Sequence, residues 1–87
     1  MLKTEEQKIK GLLKNNVKAQ QAFNKMLNYY EILDKLNMTT HVKLIKAVYL
    51  NNKHLYGWQL ANVANIGYST SFLYRNSYVK CFYLCFE

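Results

Sequence analysis

The sequence predicts an all-α protein: a single small domain in which an amphipathic helical segment over residues 1–37 leads into a helix-turn-helix-like module over residues 38–87. Three observations predict it. The chain has 87 residues, which allows one domain and no more. It has no proline and three glycines, Gly11, Gly57 and Gly67, so long stretches run without helix breakers and a many-turned sandwich or barrel is disfavoured. Apolar residues make up 51 % of the chain and recur at helical spacing, which supplies a core and argues against wholesale disorder.

The first helix has a start signal at Thr4-Glu5-Glu6-Gln7, which fits a capping box with the Thr4 hydroxyl at N-cap and two acids in the positive first turn. Apolar residues then recur at Ile9, Leu12, Leu13, Val17, Phe23, Met26, Leu27, Tyr30, Leu33 and Leu36. In heptad register the seam reads Ile9, Leu12, Asn16, Ala19, Phe23, Met26, Tyr30, Leu33 and Asn37, the pattern of a helix hairpin or a coiled coil. A continuous helix from Thr4 to Leu36 would be about 50 Å long. Asn15-Asn16 equally breaks it into two. Ile9, Leu12, Phe23, Met26, Tyr30 and Leu33 are therefore candidates either for the core or for self-association into a homodimer.

Asn37-Met38-Thr39-Thr40 reads as a connector, with Thr39 or Thr40 capping a helix that carries Val42, Ile45, Val48 and Tyr49 and ends at Asn51-Asn52-Lys53. A short helix follows from Gly57 or Trp58 to Ala64. Asn65-Ile66-Gly67 makes a turn, and a last helix starts at Ser69 and runs to about Phe86. Val79, Phe82, Tyr83, Leu84 and Phe86 leave that helix apolar on nearly every side, so the segment is expected to close the core against Leu27, Tyr30 and Leu33 or to bury itself in a second copy.

Twelve Lys and Arg against five acids give a formal charge of +7, which favours an anionic partner such as nucleic acid. All but Arg75 of those cations are lysines, compact charges suited to phosphate rather than to bidentate recognition of bases. Lys3-Thr4-Glu5-Glu6-Gln7-Lys8 opens no apolar run, so neither a secretory signal nor a membrane span is expected, and a cytoplasmic location is. The two cysteines, Cys81 and Cys85, are helical neighbours; a disulfide there would be strained and a zinc site would want nearby histidine, so free thiols are expected. His41 and His54 stand in no catalytic motif, and there is neither a glycine-rich phosphate loop nor metal-ligand spacing. No enzyme activity, cofactor or metal is expected.

The stretch from Gly57 to Arg75 carries the functional signal. Ala61 is small enough for two helices to cross, Ile66 is apolar in the turn, Asn65 or Gly67 tolerates the reversal, and Ser71 and Tyr74 point inward from the second helix. Leu60-Ala61-(Asn62-Val63-Ala64)-Asn65-Ile66-Gly67-Tyr68-Ser69-Thr70 resembles the helix-turn-helix of sigma-factor region 4. Over about residues 42 to 80 the chain is similar to the ArpU/RinA-type late transcription regulators of phages and mobile genetic elements. The resemblance implies DNA binding, with Tyr68, Ser69, Thr70, Phe72, Arg75 and Asn76 as readers, Arg75 on guanine and Asn76 on adenine. Lys53, His54 and Lys80 would then reach phosphates. The chain departs from the pattern in Phe72-Leu73-Tyr74-Arg75-Asn76-Ser77-Tyr78, nearly uncharged where basic residues are usual. That departure motivates an alternative, an interference factor that binds a transcription regulator protein instead of DNA.

Overall fold

A helix of about 50 Å has no room in this molecule, whose extents in the computed structural model are 32 × 29 × 21 Å. The chain breaks it at Asn16. Its backbone is extended there (φ −113°, ψ 110°), and its side-chain oxygen accepts a hydrogen bond from the Ala19 N–H at 3.0 Å. Asn16 thus closes one helix and caps the next. The structure describes residues 1–87 as five helices and no strand: α1 (Leu2–Asn15), α2 (Val17–Asn37), α3 (His41–Tyr49), α4 (Gly57–Val63) and α5 (Tyr68–Phe86).

Two expected caps fall elsewhere. Thr4 lies inside α1, not at its N-cap, because the Glu5 N–H already bonds the Met1 carbonyl at 3.1 Å and the helix starts at Leu2. Nor does the Thr40 hydroxyl cap α3; it donates to the Ala64 carbonyl at 2.9 Å. The free N–H groups of His41 and Val42 instead donate to the two carboxylate oxygens of Asp34, each at 2.9 Å, and the Thr39 hydroxyl donates to the same carboxylate at 2.6 Å. A side chain in the last turns of α2 therefore caps α3, where its negative charge meets the positive end of the helix dipole. Met38 between them is left-handed (φ 55°), and the Thr39 N–H returns to the Asp34 carbonyl at 3.3 Å, a Schellman-type ending.

The expected self-association seam lies in the protomer's own core. Ile9, Phe23, Met26 and Tyr30 are buried, and Leu12 and Leu33 are half-buried against them. Leu44, Ile45, Val48 and Tyr49 of α3 and Tyr78 and Phe82 of α5 complete the same cluster. A dimer through those six side chains would require α3 and α5 to leave them. α5 lies mainly along α2, with the Tyr30 and Tyr78 rings edge-to-face at 4.9 Å. The closing segment is thus structural, as its composition predicts, although Leu84 stays outside at 75 % exposure.

Candidate nucleic-acid interface

α4 is only seven residues long, so its ends define it. At its start the Tyr56 N–H donates to Gln59 Oε1 at 2.8 Å, half of a capping box. At its end the Asn65 N–H bonds the Asn62 carbonyl at 3.1 Å and the Ile66 N–H bonds the Ala61 carbonyl at 3.0 Å. Asn65 takes the left-handed conformation (φ 56°) that this Schellman ending demands, while Gly67 is extended (φ −69°) and caps α5. Of the two residues suited to the reversal, Asn65 performs it. α5 starts at Tyr68, one residue before the expected Ser69. Ala61 and Ser71 are buried on the two helices that pack together here, so a bulkier residue at either would push the pair apart.

The turn leaves Tyr68, Ser69, Phe72 and Leu73 exposed at the start of α5, Thr70 half-buried, and Lys53 and Lys80 in solvent. Lys80 is about 18 Å along the helix from Tyr68. Arg75 corrects the sequence reading. Its Nε and terminal nitrogen donate to the Glu6 carboxylate at 2.9 and 2.6 Å, a fork-on-fork pair with the two side chains 13 % and 7 % exposed. Arg75 is thus committed to Glu6 on α1 instead of standing free at the reading end. Asn76 folds back on its own helix, its amide nitrogen donating to the Phe72 carbonyl at 3.0 Å.

Beside this surface the structure opens a cleft of about 270 Å³ between α1, the connector after α3, the start of α4 and the start of α5. Lys3, Lys10 and Lys53 line it together with Tyr56, Tyr68 and Phe72, and the paired Glu6 and Arg75 stand in its wall. Sequence reasoning found Tyr68, Phe72 and Lys53 but missed Lys3, Lys10 and Tyr56, which only the tertiary fold brings there. The Glu6–Arg75 pair did leave a trace: Glu6 sits three residues before Ile9, on the face of α1 that turns inward, and Arg75 is the lone arginine of the chain.

His41 was also missed. Its Nδ1 lies 2.6 Å from the Tyr78 hydroxyl, among the rings of Tyr30, Tyr74 and Tyr78. Burial, reinforced by Tyr30 and Asp34, pushes the Tyr78 hydroxyl far up, so it stays protonated. Burial likewise pushes the Tyr30 hydroxyl up to about 12 and, with Cys85 beside it, the Cys81 thiol up to about 11, which leaves that thiol a poor nucleophile. No group of three or more His, Cys, Asp or Glu side chains stands together, and no helix is long and apolar enough to cross a membrane. The chain matches no family model, no curated protein and no solved structure.

Proposed function

We propose that this chain is a small transcription regulator of phage or mobile-element origin that acts in the cytoplasm and docks the start of α5 in the major groove of DNA. The observation that carries the reading is the exposed face of Tyr68, Ser69, Phe72 and Leu73 directly after a helix-turn-helix reversal, on a protein of net charge +7. The similarity to ArpU/RinA-type regulators points the same way. With Arg75 tied to Glu6, the chemistry left at the reading end is apolar and hydroxylic. Phe72, Leu73 and Tyr68 suit contact with thymine methyl groups, Ser69 and Thr70 supply hydrogen bonds, and exposed lysines such as Lys53 and Lys80 hold phosphates. A preference for A·T-rich duplex follows. With three lysine–phosphate contacts, affinity should fall about 40-fold between 50 and 200 mM salt. Fluorescence anisotropy on A·T-rich and G·C-rich duplexes at both salt concentrations tests this, and no binding to either at the lower one would sink the reading.

A second reading rests on the same exposed Tyr68, Phe72 and Leu73, at 60 %, 46 % and 65 % exposure. They suit an apolar protein interface as well as a groove. A transcription regulator captured by the chain and retained in high salt, with no duplex bound at low salt, would favour an interference factor over a DNA binder.

A further inference from the structure

The cleft beside α5 holds more positive charge than the protein neutralises. The chain contains two ion pairs, Lys8 with Glu5 and Arg75 with Glu6. Lys3, Lys10 and Lys53 belong to neither, and the one acid in the cleft, Glu6, already has its counterion in Arg75. Three lysines from two distant chain segments therefore line one concavity whose one acid is already paired. In the same concavity Tyr56 and Tyr68 keep 61 % and 60 % of their surface exposed and Phe72 keeps 46 %. Lysines alone would describe a phosphate site; exposed rings alone would describe an apolar groove. Their combination matches a ligand with a multiply charged phosphate at one end and a flat ring at the other. The volume of about 270 Å³ lies just under the range of roughly 300–1,000 Å³ usual for small-molecule sites, which fits one such unit.

We infer that this cleft binds a nucleotide, with the phosphates on Lys3, Lys10 and Lys53 and the base against Tyr56, Tyr68 and Phe72. The nucleotide is either free in solution or a unit of an unpaired strand, since both present the same chemistry. The site shares Tyr68, Phe72 and Lys53 with the proposed duplex-reading face and extends beyond it to Lys3, Lys10 and Tyr56, whereas Leu73 and Lys80 serve that face alone and stand outside the cleft.

Gly57 gives a way to perturb the ring side without touching a lysine. A Cβ at that position would lie 2.5 Å from Cε2 of Tyr68, so Gly57→Ala displaces the exposed ring, while its backbone is not in the left-handed region and accepts alanine.

The test is calorimetric titration of the full chain at low salt with ADP, inorganic pyrophosphate, adenosine and a ten-residue thymidine oligonucleotide. ADP should bind with a dissociation constant below about 1 mM. Pyrophosphate should bind at least five-fold more weakly and adenosine not measurably. The Lys3→Ala/Lys53→Ala variant should lose at least ten-fold in ADP affinity at an unchanged melting temperature. Gly57→Ala should bring ADP close to pyrophosphate while leaving pyrophosphate itself unaffected. An oligonucleotide that binds at least ten-fold more tightly than ADP, and is weakened by the same variants, identifies a strand as the source; the opposite order identifies a free nucleotide. ADP bound no better than pyrophosphate, or bound equally by wild type and the lysine variant, overturns the proposal. Leu73→Glu separates it from the preceding reading, because it should abolish duplex binding and leave ADP affinity within two-fold.

Discussion

His41 Nδ1 and Tyr78 Oη stand 2.6 Å apart, and this contact joins the first residue of α3 to a ring of α5 with no exposed surface. Burial keeps Tyr78 protonated, and the direction of the bond follows the imidazole tautomer: the hydroxyl donates to a bare Nδ1 or accepts from Nδ1–H. The imidazole is held neutral. Burial lowers its pKa below the usual histidine value, and the nearby Asp34 carboxylate offsets only part of that.

A pH dependence follows. A histidine whose folded-state pKa is depressed binds more protons in the unfolded chain, so stability is full above the unfolded value of about 6.5 and declines as pH falls toward the folded value. The melting temperature should therefore drop between pH 7.5 and 5.5. His41→Asn should lose that drop while melting lower at pH 7.5, because the buried Tyr78 hydroxyl then loses its imidazole partner. Thermal melts at both pH values check it; an equal drop in variant and wild type would assign the effect to another group.

Asp34 carries the junction between α2 and α3, and its removal should be costly for a residue at the surface. Asp34→Ala leaves the N–H groups of His41 and Val42 and the Thr39 hydroxyl without their acceptor, and a lost N-cap costs about 0.5–2 kcal/mol. We expect the upper end of that range, with Asp34→Asn falling in between because it keeps one acceptor. Burial raises the Asp34 pKa, but the Thr39 hydroxyl and the Val42 and His41 N–H groups outweigh it and leave the pKa lowered. Its contribution is thus present above pH 4 or so and is lost as pH falls through the folded-state value. Urea unfolding of Asp34→Ala and wild type at pH 7 and pH 3 should show the gap closing in acid.

Glu6 and Arg75 are 69 residues apart in sequence and form the buried tie between α1 and α5. Removing one partner strands the other charge near the buried Tyr49 hydroxyl, which already lacks a hydrogen-bond partner. Glu6→Ala or Arg75→Ala should each cost about 3–5 kcal/mol, whereas Glu6→Met with Arg75→Met should be close to neutral. The double variant also addresses function. If Arg75 is a structural residue, the folded Met/Met protein keeps its duplex affinity at constant salt. A loss of ten-fold or more would return Arg75 to the reading face.

How far the sequence was legible follows from the range over which each signal acts. Apolar spacing located the helical segments but left open whether the first was one helix or two, and the turn was readable as Asn65 or Gly67 because few other residues tolerate such a backbone. The Thr4 capping box failed because the start of a helix depends on whichever carbonyl comes first, and Met1 supplied it. Asp34 was invisible as a cap because it belongs to the preceding helix, so no local motif marks it. The stripe of Ile9, Phe23, Met26 and Tyr30 says that a helix must cover it, and periodicity carries no information on whether that helix is in the same chain. The cleft was the least legible feature, since Lys3, Lys10 and Lys53 sit on solvated faces in sequence and only the packing of α1 across the connector gathers them.

The C-terminal helix provides the sharpest stability contrast. Phe82 has no exposed surface, its ring stacks on Phe86 at 5.5 Å, and it shares the core with Tyr30 and Met26. Leu84, two residues on, is 75 % exposed. Phe82→Ala should cost about 3–5 kcal/mol, because close packing around the ring lets the site collapse only in part. Leu84→Glu should change stability by no more than about 0.5 kcal/mol. Deleting residues 79–87 removes Phe82 together with the half-buried Val79, Tyr83 and Phe86 that pack on the cluster, and it uncovers the α2 face bearing Tyr30. That loss approaches the whole stability of a domain this size, of the order of 5–15 kcal/mol. The truncated chain should therefore lose its cooperative thermal transition and much of its helical circular dichroism at 25 °C. A truncated protein with an unchanged melting temperature would mean that the rest of the chain folds without the second half of α5, and that those last turns are an adhesive end available to a partner.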